Sequence, residues 1–301
     1  MKILVYGSLN IDHVYKMDHF VRPGETISSK ELQLFCGGKG LNQSIAFARS
    51  GAETWHAGAV GLHDGQMLLN MLEQAGVHTE LIEKKECPSG HAIIQTTPEG
   101  ENGILLYGGA NQTITRQEVD AALSCFAEGD FLVLQNEISQ IPYIMEKAHE
   151  KGMKIVLNPS PMDEKIFQMP LSYTDFLILN ELEGAAMTGI SHRDSEKILD
   201  KLMERFPDTQ IVLTLGKAGS VYGYKDKICR QPVYPVKAVD TTAAGDTFTG
   251  YFMGSMIGGT EVEEALKIAS MASAIAVSRK GAAPSIPILS QVQGKIANLK
   301  E

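Results

Sequence analysis

The sequence has no apolar run long enough to cross a membrane and no excess of positive charge. No stretch approaches the roughly 18 uncharged apolar residues of a membrane span, and residues 1–7 are too short for a signal peptide and lead straight into a strand pattern. The 27 lysines and arginines are outnumbered by 36 aspartates and glutamates, giving a formal net charge of −9. An acidic chain is poorly suited to binding a phosphate backbone. We therefore expect a cytoplasmic protein with neither a nucleic-acid nor a membrane partner.

Cysteine is scarce, and several well-known catalytic and nucleotide-binding signatures are missing. The four cysteines are scattered, with no CxxC pair and no histidine at zinc-ligand spacing, so reduced thiols without a chemical role are expected. The chain has no GxxxxGK[ST] loop, no GxGxxG after its first strand, no HExxH and no GxSxG. These absences disfavour a Walker-type ATPase, a dinucleotide-dependent dehydrogenase and the most easily recognised hydrolases.

The chain does contain a regular alternation of short apolar runs and amphipathic stretches. Six β-branched or aliphatic runs predict buried strands, at residues 2–6, 54–60, 130–135, 154–158, 175–180 and 210–215. Helix-period stretches lie between them, at 42–49, 65–74 and 140–150, and a glycine follows each where a C-cap belongs. The alternation predicts an α/β fold with a doubly wound, mostly parallel sheet and helices on both faces. Because no linker or repeat divides the chain, we expect a single domain over residues 1–301.

Two regions, at about 12–35 and 90–109, interrupt this alternation with short strands joined by turns. The segment TPEGENG at 97–103 predicts a hairpin turn. In the strand before it, Ala92 and Ile94 alternate with Ile93, so both faces carry apolar side chains. A small sheet of this kind needs cover from a ligand or a second copy. We predict a small β-sheet lid and a homodimer formed through the lid strands.

The most informative segment is DTTAAGDTF at residues 240–248. It passes from an extended stretch into an apolar helix over 248–257, and small residues stand where that helix begins. A helix N-terminus offers unpaired N–H groups and the positive end of a dipole, so this segment predicts an anion hole that a phosphate can reach. Asp246 fits either an ordinary helix-start carboxylate or a reactive acid beside that hole.

Four segments occur in the order typical of a known family. They are GSLNID at 7–12, GGKGLNQ at 37–43, NELE at 180–183 and DTTAAGD at 240–246. This series resembles the ribokinase-like (PfkB-type) sugar kinases over residues 2–287. Five further segments, at 23–26, 109–111, 157–161, 213–216 and 279–285, are most similar to family members that act on ribose. The resemblance implies a ribokinase-like α/β enzyme that transfers the γ-phosphate of ATP to the 5-hydroxyl of D-ribose.

The resemblance also assigns the reacting groups and the sugar site. Asp246 is expected to orient and deprotonate the accepting hydroxyl, while backbone N–H groups face the charge that develops, those of Ala243, Ala244 and Gly245. Besides Asp246, the residues expected to hold the sugar are Asn10, Asp12, Gly38, Lys39, Asn42 and Glu137. Short polar groups at strand ends suit this role, because open α/β sheets bind ligands there. Singly, the same residues also fit a solvated turn, a helix cap or a surface charge.

For the nucleotide and the ions, the resemblance implies two further sets of residues. Asn180 and Glu183 are expected near the phosphates and the magnesium shell, and the other nucleotide contacts are Thr214, Gly216, Lys217, Gly219 and Ser270. At Ser270 the side chain differs from that of the family. A potassium ion is expected among mostly backbone oxygens of Asp240, Thr242, Ala276, Arg279, Gly281 and Ser285. The implied ligands are therefore ATP, Mg²⁺ and K⁺.

Two alternatives stay open. Within the family, the chain could act on fructose, a deoxysugar or a nucleoside, although the set of polar residues assigned to the sugar favours ribose. Outside enzymes, it could be a non-catalytic sugar- or nucleotide-binding module on the same fold. Retention of Asp246 favours the enzyme, because a binding module has no need of it.

Overall fold

The computed structural model describes residues 1–298, and its strands form one large and one small sheet. In chain order the strands are β1 (Ile3–Tyr6), β2 (Asn10–Lys16), β3 (Glu31–Gly37), β4 (Thr54–Gly61), β5 (His78–Lys85), β6 (Gly90–Thr96), β7 (Asn102–Tyr107), β8 (Phe131–Gln135), β9 (Lys154–Asn158), β10 (Phe176–Asn180), β11 (Gln210–Thr214), β12 (Ser220–Tyr224) and β13 (Lys227–Gln231). The α-helices are α1 (Lys39–Arg49), α2 (Gln66–Gln74), α3 (Arg116–Ser124), α4 (Ile141–Glu150), α5 (Glu181–Thr188), α6 (Ser195–Arg205), α7 (Ala244–Ile257), α8 (Val262–Val277) and α9 (Leu289–Ala297).

The large sheet has the order β13-β12-β11-β10-β9-β8-β1-β4-β5 within the described residues. The strands from β5 to β11 pair in parallel, and β12 and β13 add an antiparallel hairpin at one edge. All six predicted strands are present, and the predicted fold class is confirmed. The sequence pattern missed β5, β12 and β13. The edge strand β5 reads HTELIEKK, and its charged residues conceal the apolar run that marks a buried strand.

Helices cover both faces of this sheet. Because strand side chains alternate, Ile3 and Val5 of β1 pack into the layer of α1, α2, α7, α8 and α9. Leu4 and Tyr6 of the same strand pack into the layer of α3 to α6. Strand β1 therefore has a helix layer on each face, and the turn after its carboxyl end leads directly into β2 of the small sheet.

Two helices begin earlier than their apolar pattern indicates. Helix α1 begins at Lys39, three residues before the predicted start, because the glycines around it allow a close approach. A Cβ on Gly40 would lie 2.4 Å from the backbone nitrogen of Ser8, so only glycine lets the first turn of α1 press against the end of β1. Helix α7 begins at Ala244 rather than at residue 248, which places Asp246 in its first turn.

Close packing fixes α7 against α1. A Cβ on Gly250 of α7 would lie 2.4 Å from the Cβ of Ala46 on α1, so the two helix backbones approach closely at this point. Both helices are buried along much of their length. The first turn of α7 is thereby held beside the first turns of α1, and the side chains from these turns meet.

The small sheet has the order β3-β2-β6-β7 within the described residues. The β6–β7 turn forms as predicted, with the Thr97 N–H donating to the Glu101 carbonyl at 3.1 Å. Strand β2 begins at Asn10 and β3 ends at Gly37, so the sheet extends two residues past the predicted limits at each end. The register places Asp12 and Ile94 on one face and His13 and Ile93 on the other.

No helix in residues 1–298 is long and apolar enough to span a bilayer.

Candidate active site

One cleft, of about 230 Å³, lies at the carboxyl ends of the parallel strands. Asn158 ends β9, Asn180 ends β10 and Thr214 ends β11, and all three line the cleft. Lys39 of α1 and residues 243–246 at the start of α7 complete much of its wall. This is the edge at which open α/β sheets bind ligands. The topology therefore brings residues that are far apart in sequence into one site.

Asp246 lies at the base of this cleft and is 7% exposed. Two amides from neighbouring residues of α1 hold its carboxylate. Asn42 Nδ2 donates to Oδ2 at 3.0 Å, and Gln43 Nε2 donates to Oδ1 at 3.0 Å. A surface helix-start carboxylate would have no reason to be bracketed in this way, so the geometry favours the reactive interpretation of Asp246.

The orientation of Asn42 follows from the same contacts. A carboxylate only accepts hydrogen bonds, so the nitrogen of Asn42 must face Asp246 and its oxygen must face away. That oxygen, Oδ1, is buried and has no hydrogen-bond partner among the described residues. Because a buried polar atom costs free energy unless it is paired, Asn42 Oδ1 is suited to accept a hydrogen bond from a ligand hydroxyl.

The backbone at the start of α7 faces open space. Ala243 has a left-handed conformation with φ of 58°, and α7 begins directly after it. A Cβ on Gly245 would meet no atom within 4 Å, so a ligand can reach its backbone. The N–H of Ala244, however, donates to the Thr241 carbonyl at 3.2 Å. Of the three expected anion-hole donors, this one is already engaged within the chain.

Lys39 carries positive charge between three carboxylates. Partial burial by itself would lower the pKa of Lys39, but the nearby charges of Asp246, Glu137 and Glu183 outweigh burial and raise the pKa. Lys39 is therefore ionised throughout the neutral range. It lines the cleft together with Asp246 and Glu183, where a cation can interact with a transferring phosphate.

Glu137 follows β8 and joins the turn after β1 to α1. Its Oε2 accepts a hydrogen bond from the Lys39 backbone N–H at 3.0 Å and another from the Ser8 hydroxyl. Glu137, assigned to the sugar by the resemblance, therefore lies beside the backbone of Lys39, which carries the same assignment. Gly38, also assigned to the sugar, stands between the same elements with φ of 94°, a conformation that glycine adopts without strain.

Asp12 is partly buried on the face of the small sheet that also carries Asn10 and Ala92. Burial and, after it, the nearby Glu137 carboxylate raise the pKa of Asp12 to about 6. A carboxylate kept in such surroundings is a strong acceptor once it is ionised. Gly37 makes room for this side chain, because a Cβ there would lie 2.1 Å from Asp12 Oδ2.

Asn10 is buried, and Asn111 determines which way its amide points. The Leu9 N–H donates to Asn111 Oδ1 at 3.0 Å, which fixes the Asn111 nitrogen as the donor to Asn10 Oδ1 at 2.8 Å. The Asn10 oxygen is therefore occupied, and its nitrogen remains available to donate. Asn10 and Asp12 thus supply a donor and an acceptor from neighbouring positions of β2.

Asn180 and Glu183 form a capping box at the start of α5. Asn180 Oδ1 accepts hydrogen bonds from the N–H groups of Leu182 and Glu183 at 2.9 Å, and Glu183 Oε2 accepts from the Asn180 N–H at 2.9 Å. Both residues also line the cleft, and Glu183 is 7% exposed. The two interpretations of this pair, a helix cap and a ligand-facing pair, are therefore compatible.

Of the other residues assigned to the nucleotide, only Thr214 lines the described cleft. Gly216 and Lys217 are exposed in the short helical turn after β11. A Cβ on Gly219 would lie 2.1 Å from the Gln231 carbonyl oxygen, which shows that this glycine is needed where the turn meets β13. Ser270 is buried in α8 and lies outside the cleft wall. Ser273, about one turn further along α8, donates to the carbonyl of Ala244, the first residue of α7, at 2.8 Å.

Asp240 joins the two loops that carry the expected potassium ligands. Its Oδ1 accepts hydrogen bonds from the Thr242 N–H and hydroxyl at 2.9 and 2.6 Å, and its Oδ2 accepts from the Gly281 N–H at 3.0 Å. Partial burial by itself would raise the pKa of Asp240, but these donors outweigh burial and lower the pKa. The structure thus brings Asp240, Thr242 and Gly281 together.

The other three residues assigned to potassium are Ala276, near the end of α8, and Arg279 and Ser285, which follow that helix. The Arg279 N–H donates to the Ala276 carbonyl at 3.0 Å, while the Arg279 guanidinium donates to Gln291 Oε1. Ser285 is 1% exposed, and its hydroxyl donates to the Ala282 carbonyl at 2.7 Å. A carboxylate with carbonyl and hydroxyl oxygens is the donor chemistry that a hard cation prefers. The residues present fit a monovalent cation.

Sequence reasoning missed four polar residues that support this site. The GGKGLNQ segment contained Gln43 and the GAN segment contained Asn111, but neither was given a role. The GSLNID segment likewise contained Ser8 and the segment at 157–161 contained Asn158, and these two residues were also given no role. All four act on other side chains, and such contacts follow from tertiary packing rather than from spacing.

Comparison with known proteins identifies the class. The model for pfkB family carbohydrate kinases matches residues 1–289. The chain belongs to this family. It is an ATP-dependent sugar kinase, a phosphotransferase with an alcohol group as acceptor.

Within that family, the chain is similar over nearly its whole length to several proteins named ribokinase. A ribokinase of Haemophilus influenzae is 35% identical over 292 residues, covering 95% of each chain. The structure of an Arabidopsis thaliana ribokinase complexed with ribose and ATP has 29% identity and a TM-score of 0.86, covering 97% of each chain. A deoxyribokinase of Salmonella typhi is 29% identical over 306 residues, covering 97% of each chain. The ribokinase-like fold expected from the sequence is thus confirmed.

Proposed function

We propose that the chain transfers the γ-phosphate of ATP to the 5-hydroxyl of D-ribose, working as one domain over residues 1–301 with the small sheet as its lid. One observation carries the proposal. A buried carboxylate, Asp246, and an open helix N-terminus at Gly245 are adjacent in sequence and share one cleft. Phosphoryl transfer to an alcohol needs a group that receives the proton and donors that face the phosphate.

In this reaction Asp246 accepts the proton of the 5-hydroxyl. The hydroxyl oxygen forms the new bond to the γ-phosphorus, the bond from that phosphorus to the bridging oxygen breaks, and ADP leaves. The N–H groups of Ala243 and Gly245 and the ammonium of Lys39 face the negative charge of the transferring group. The Ala244 N–H joins them once a phosphate displaces its contact with the Thr241 carbonyl.

On the sugar side, the proposed partners of the hydroxyls are those that the resemblance assigns. Asn42 Oδ1 is an acceptor without a partner, Asn10 presents an amide nitrogen, and Asp12 presents a carboxylate. Gly38, Lys39 and Glu137 lie between them. A polyol supplies both donors and acceptors to such a set, and ribose is the ligand named for the Arabidopsis relative.

On the nucleotide side, we propose that Asn180, Glu183 and Thr214 border the phosphates. Gly216, Lys217 and Gly219 border the remainder of the nucleotide, and Ser270 is proposed on the adenine side. Magnesium, when bound, neutralises and orients the triphosphate. Glu183 is the buried acid of the cleft wall that suits this ion, and ATP oxygens would supply most of the other ligands.

We also propose a potassium site at Asp240, Thr242, Ala276, Arg279, Gly281 and Ser285. The hydrogen bonds of Asp240 connect this site to residues 241–243, directly before α7. A cation there would stabilise the conformation in which the start of α7 receives a phosphate.

The outer face of the small sheet is proposed as a homodimer interface in a cytoplasmic enzyme. This face is the one that carries His13 rather than Asp12, and it exposes Leu32, Leu34, Leu105 and Tyr107 by about half or more. Exposed apolar side chains of adjacent strands are suited to contact with a second copy. Sedimentation of the native chain and of Leu105→Asp tests the proposal, which expects a dimer for the first and a monomer for the second.

A substrate panel tests the proposed function itself. ATP-dependent release of ADP is measured with D-ribose, 2-deoxyribose, fructose and nucleosides under saturating magnesium and potassium, and the product is located by phosphorus NMR. We expect the highest kcat/KM with ribose and a phosphate on its 5-oxygen. Equal or better efficiency with deoxyribose, which the Salmonella relative makes the leading competitor, would reassign the substrate. No transfer to any acceptor would favour a binding module.

A further inference from the structure

Gln43 is completely buried and makes a contact with Asp246 that no other part of the mechanism uses. Its Nε2 donates to Asp246 Oδ1 at 3.0 Å, while the preceding residue, Asn42, donates to the other oxygen. Because the carboxylate only accepts hydrogen bonds, the nitrogen of Gln43 must face it. Two consecutive residues of α1 therefore each hold one oxygen of the same carboxylate.

The Gln43 side chain is itself anchored to the central sheet. Its Oε1 accepts a hydrogen bond from Gln135 Nε2, at the end of β8, at 2.8 Å. Its Nε2 also donates to Asn158 Oδ1, at the end of β9, at 3.3 Å, and Asn158 Nδ2 donates to the Ile178 carbonyl at 2.8 Å. Gln43 thus links the first turn of α7 to two parallel strands.

Asn42 and Gln43 differ in whether an amide atom remains available for a ligand. Asn42 has a free oxygen, so it can contact the sugar as well as Asp246. Gln43 has both amide atoms engaged within the chain, so neither is left for a ligand. Its effect on the reaction must therefore pass through Asp246.

We propose that Gln43 is a positioning residue, which fixes the orientation of the Asp246 carboxylate toward the accepting hydroxyl. The inference rests on the proposed role of Asp246 as proton acceptor. Without the hydrogen bond from Gln43, the Asp246 carboxylate rotates more freely, while the residues that bind the sugar and the nucleotide keep their places.

The test replaces Gln43 by methionine, which has a similar length but no donor. For Gln43→Met we expect a fall in kcat of about 10- to 100-fold, the range for lost orientation and general-base efficiency. The KM values for ribose and ATP should change less than about threefold, because the residues proposed to bind the two substrates keep their places. A fall in kcat without a matching rise in KM is a result that a general loss of structure would not give.

Ser44→Ala is the matched control. Ser44 is the next residue of α1 and is also completely buried, but its hydroxyl contacts His56 rather than Asp246. It should lower the melting temperature without a selective fall in kcat. If Gln43→Met lowers kcat no more than Ser44→Ala does, or raises the KM values as much as it lowers kcat, the role of Gln43 is merely structural and the inference is wrong.

A second variant keeps the test decisive if Gln43→Met folds poorly. Gln43→Glu has nearly the same shape and can donate to Asp246 only while its new carboxyl is protonated. Activity should therefore be lost as the pH rises and the new carboxyl ionises, and a pH profile identical to that of the native chain would overturn the inference. Asp246→Asn in the same assay separates the two claims. Near-normal turnover in Asp246→Asn removes the proposed function of Asp246. A loss of turnover in Asp246→Asn together with an unchanged kcat in Gln43→Met removes only the inference.

Discussion

The sugar end and the nucleotide end of the proposed site are built differently. At the sugar end, buried side chains hold one another, as in the Asn111–Asn10 and Asn42–Asp246 contacts. At the nucleotide end, Gly216 and Lys217 lie on an exposed turn, and Asn180 and Glu183 use much of their bonding capacity to cap α5. Preorganised side chains discriminate between hydroxyl patterns, whereas exposed backbone suits a phosphate chain that a metal ion neutralises. Substitutions at the two ends should therefore have separable kinetic effects.

The largest effect is expected where the two ends meet. Asp246→Asn should lower kcat by about 100-fold or more, because the proton of the hydroxyl loses its acceptor, while ribose binding changes little. Steady-state kinetics and calorimetric titration with ribose measure the two quantities. Gly245→Val is the comparison variant. Its side chain fills the space in front of the helix N-terminus, so it should weaken productive binding of ATP. Turnover near the native value in Asp246→Asn would contradict the assignment.

The sugar end should respond selectively to the loss of one carboxylate. Asp12→Ala should raise the KM for ribose about 10- to 100-fold, since a lost hydrogen bond to a charged group costs about 1.5–3 kcal/mol. The KM for ATP should stay within about twofold. Asp18→Ala is the control, because Asp18 pairs with Lys30 on the surface of the same region. Equal changes in both KM values would show that the two ends are not separable.

Acid should weaken sugar binding before it weakens nucleotide binding. The pKa of Asp12 is raised to about 6, so the carboxylate is ionised at pH 7 and mostly neutral at pH 5. At one unit below the pKa only about a tenth remains ionised, so the KM for ribose should rise up to about tenfold. Steady-state kinetics from pH 5 to 8 measure this rise. The rise should be absent in Asp12→Asn.

The raised pKa of Asp12 also predicts how the stability of the fold changes with pH. Acid should weaken sugar binding but stabilise the fold. The pKa of Asp12 is higher in the folded chain than the ordinary 3.8, so ionised Asp12 destabilises the fold above pH 6 and this penalty disappears as the pH falls toward 4. Asp12→Asn should accordingly melt at a higher temperature than the native chain at pH 7 and at the same temperature near pH 4. A melting difference independent of pH would count against the raised pKa.

The smallest effect is expected at the cation loops beside the nucleotide end. Replacing a large organic cation by potassium should increase kcat several-fold, and Asp240→Ala should abolish this response, because Asp240 joins the two loops. Initial rates at constant ionic strength measure both. Lys280→Ala, an exposed neighbour outside the proposed ligand set, serves as the control and should keep the response. A native enzyme indifferent to potassium would remove the proposed site.

Much of the fold follows from local patterns. The strands that are apolar on both sides, such as β8 and β10, are recognisable because burial between two helix layers selects aliphatic residues throughout. The edge strands β5 and β13 face partly toward solvent, so their mixed composition resembles that of loops. Strand β12 is largely buried, but its serine and glycine interrupt the apolar run that marks a buried strand. The early start of α1 was equally hidden, because Gly38 and Gly40 lower helix propensity and only the contact with Ser8 explains them.

The candidate site also has one part that local sequence patterns predict and another that only tertiary packing decides. The sequence by itself determined the kind of chemistry, because Asp246 beside small residues at a helix start, and polar residues at strand ends, are local signals. Tertiary structure alone decided how these groups are held. Gln43 meets Asp246 across 203 positions of sequence, and Asn111 orients Asn10 across 101. Spacing cannot reveal such pairs, since each depends on two segments that approach only when the sheet and its helices pack around β1.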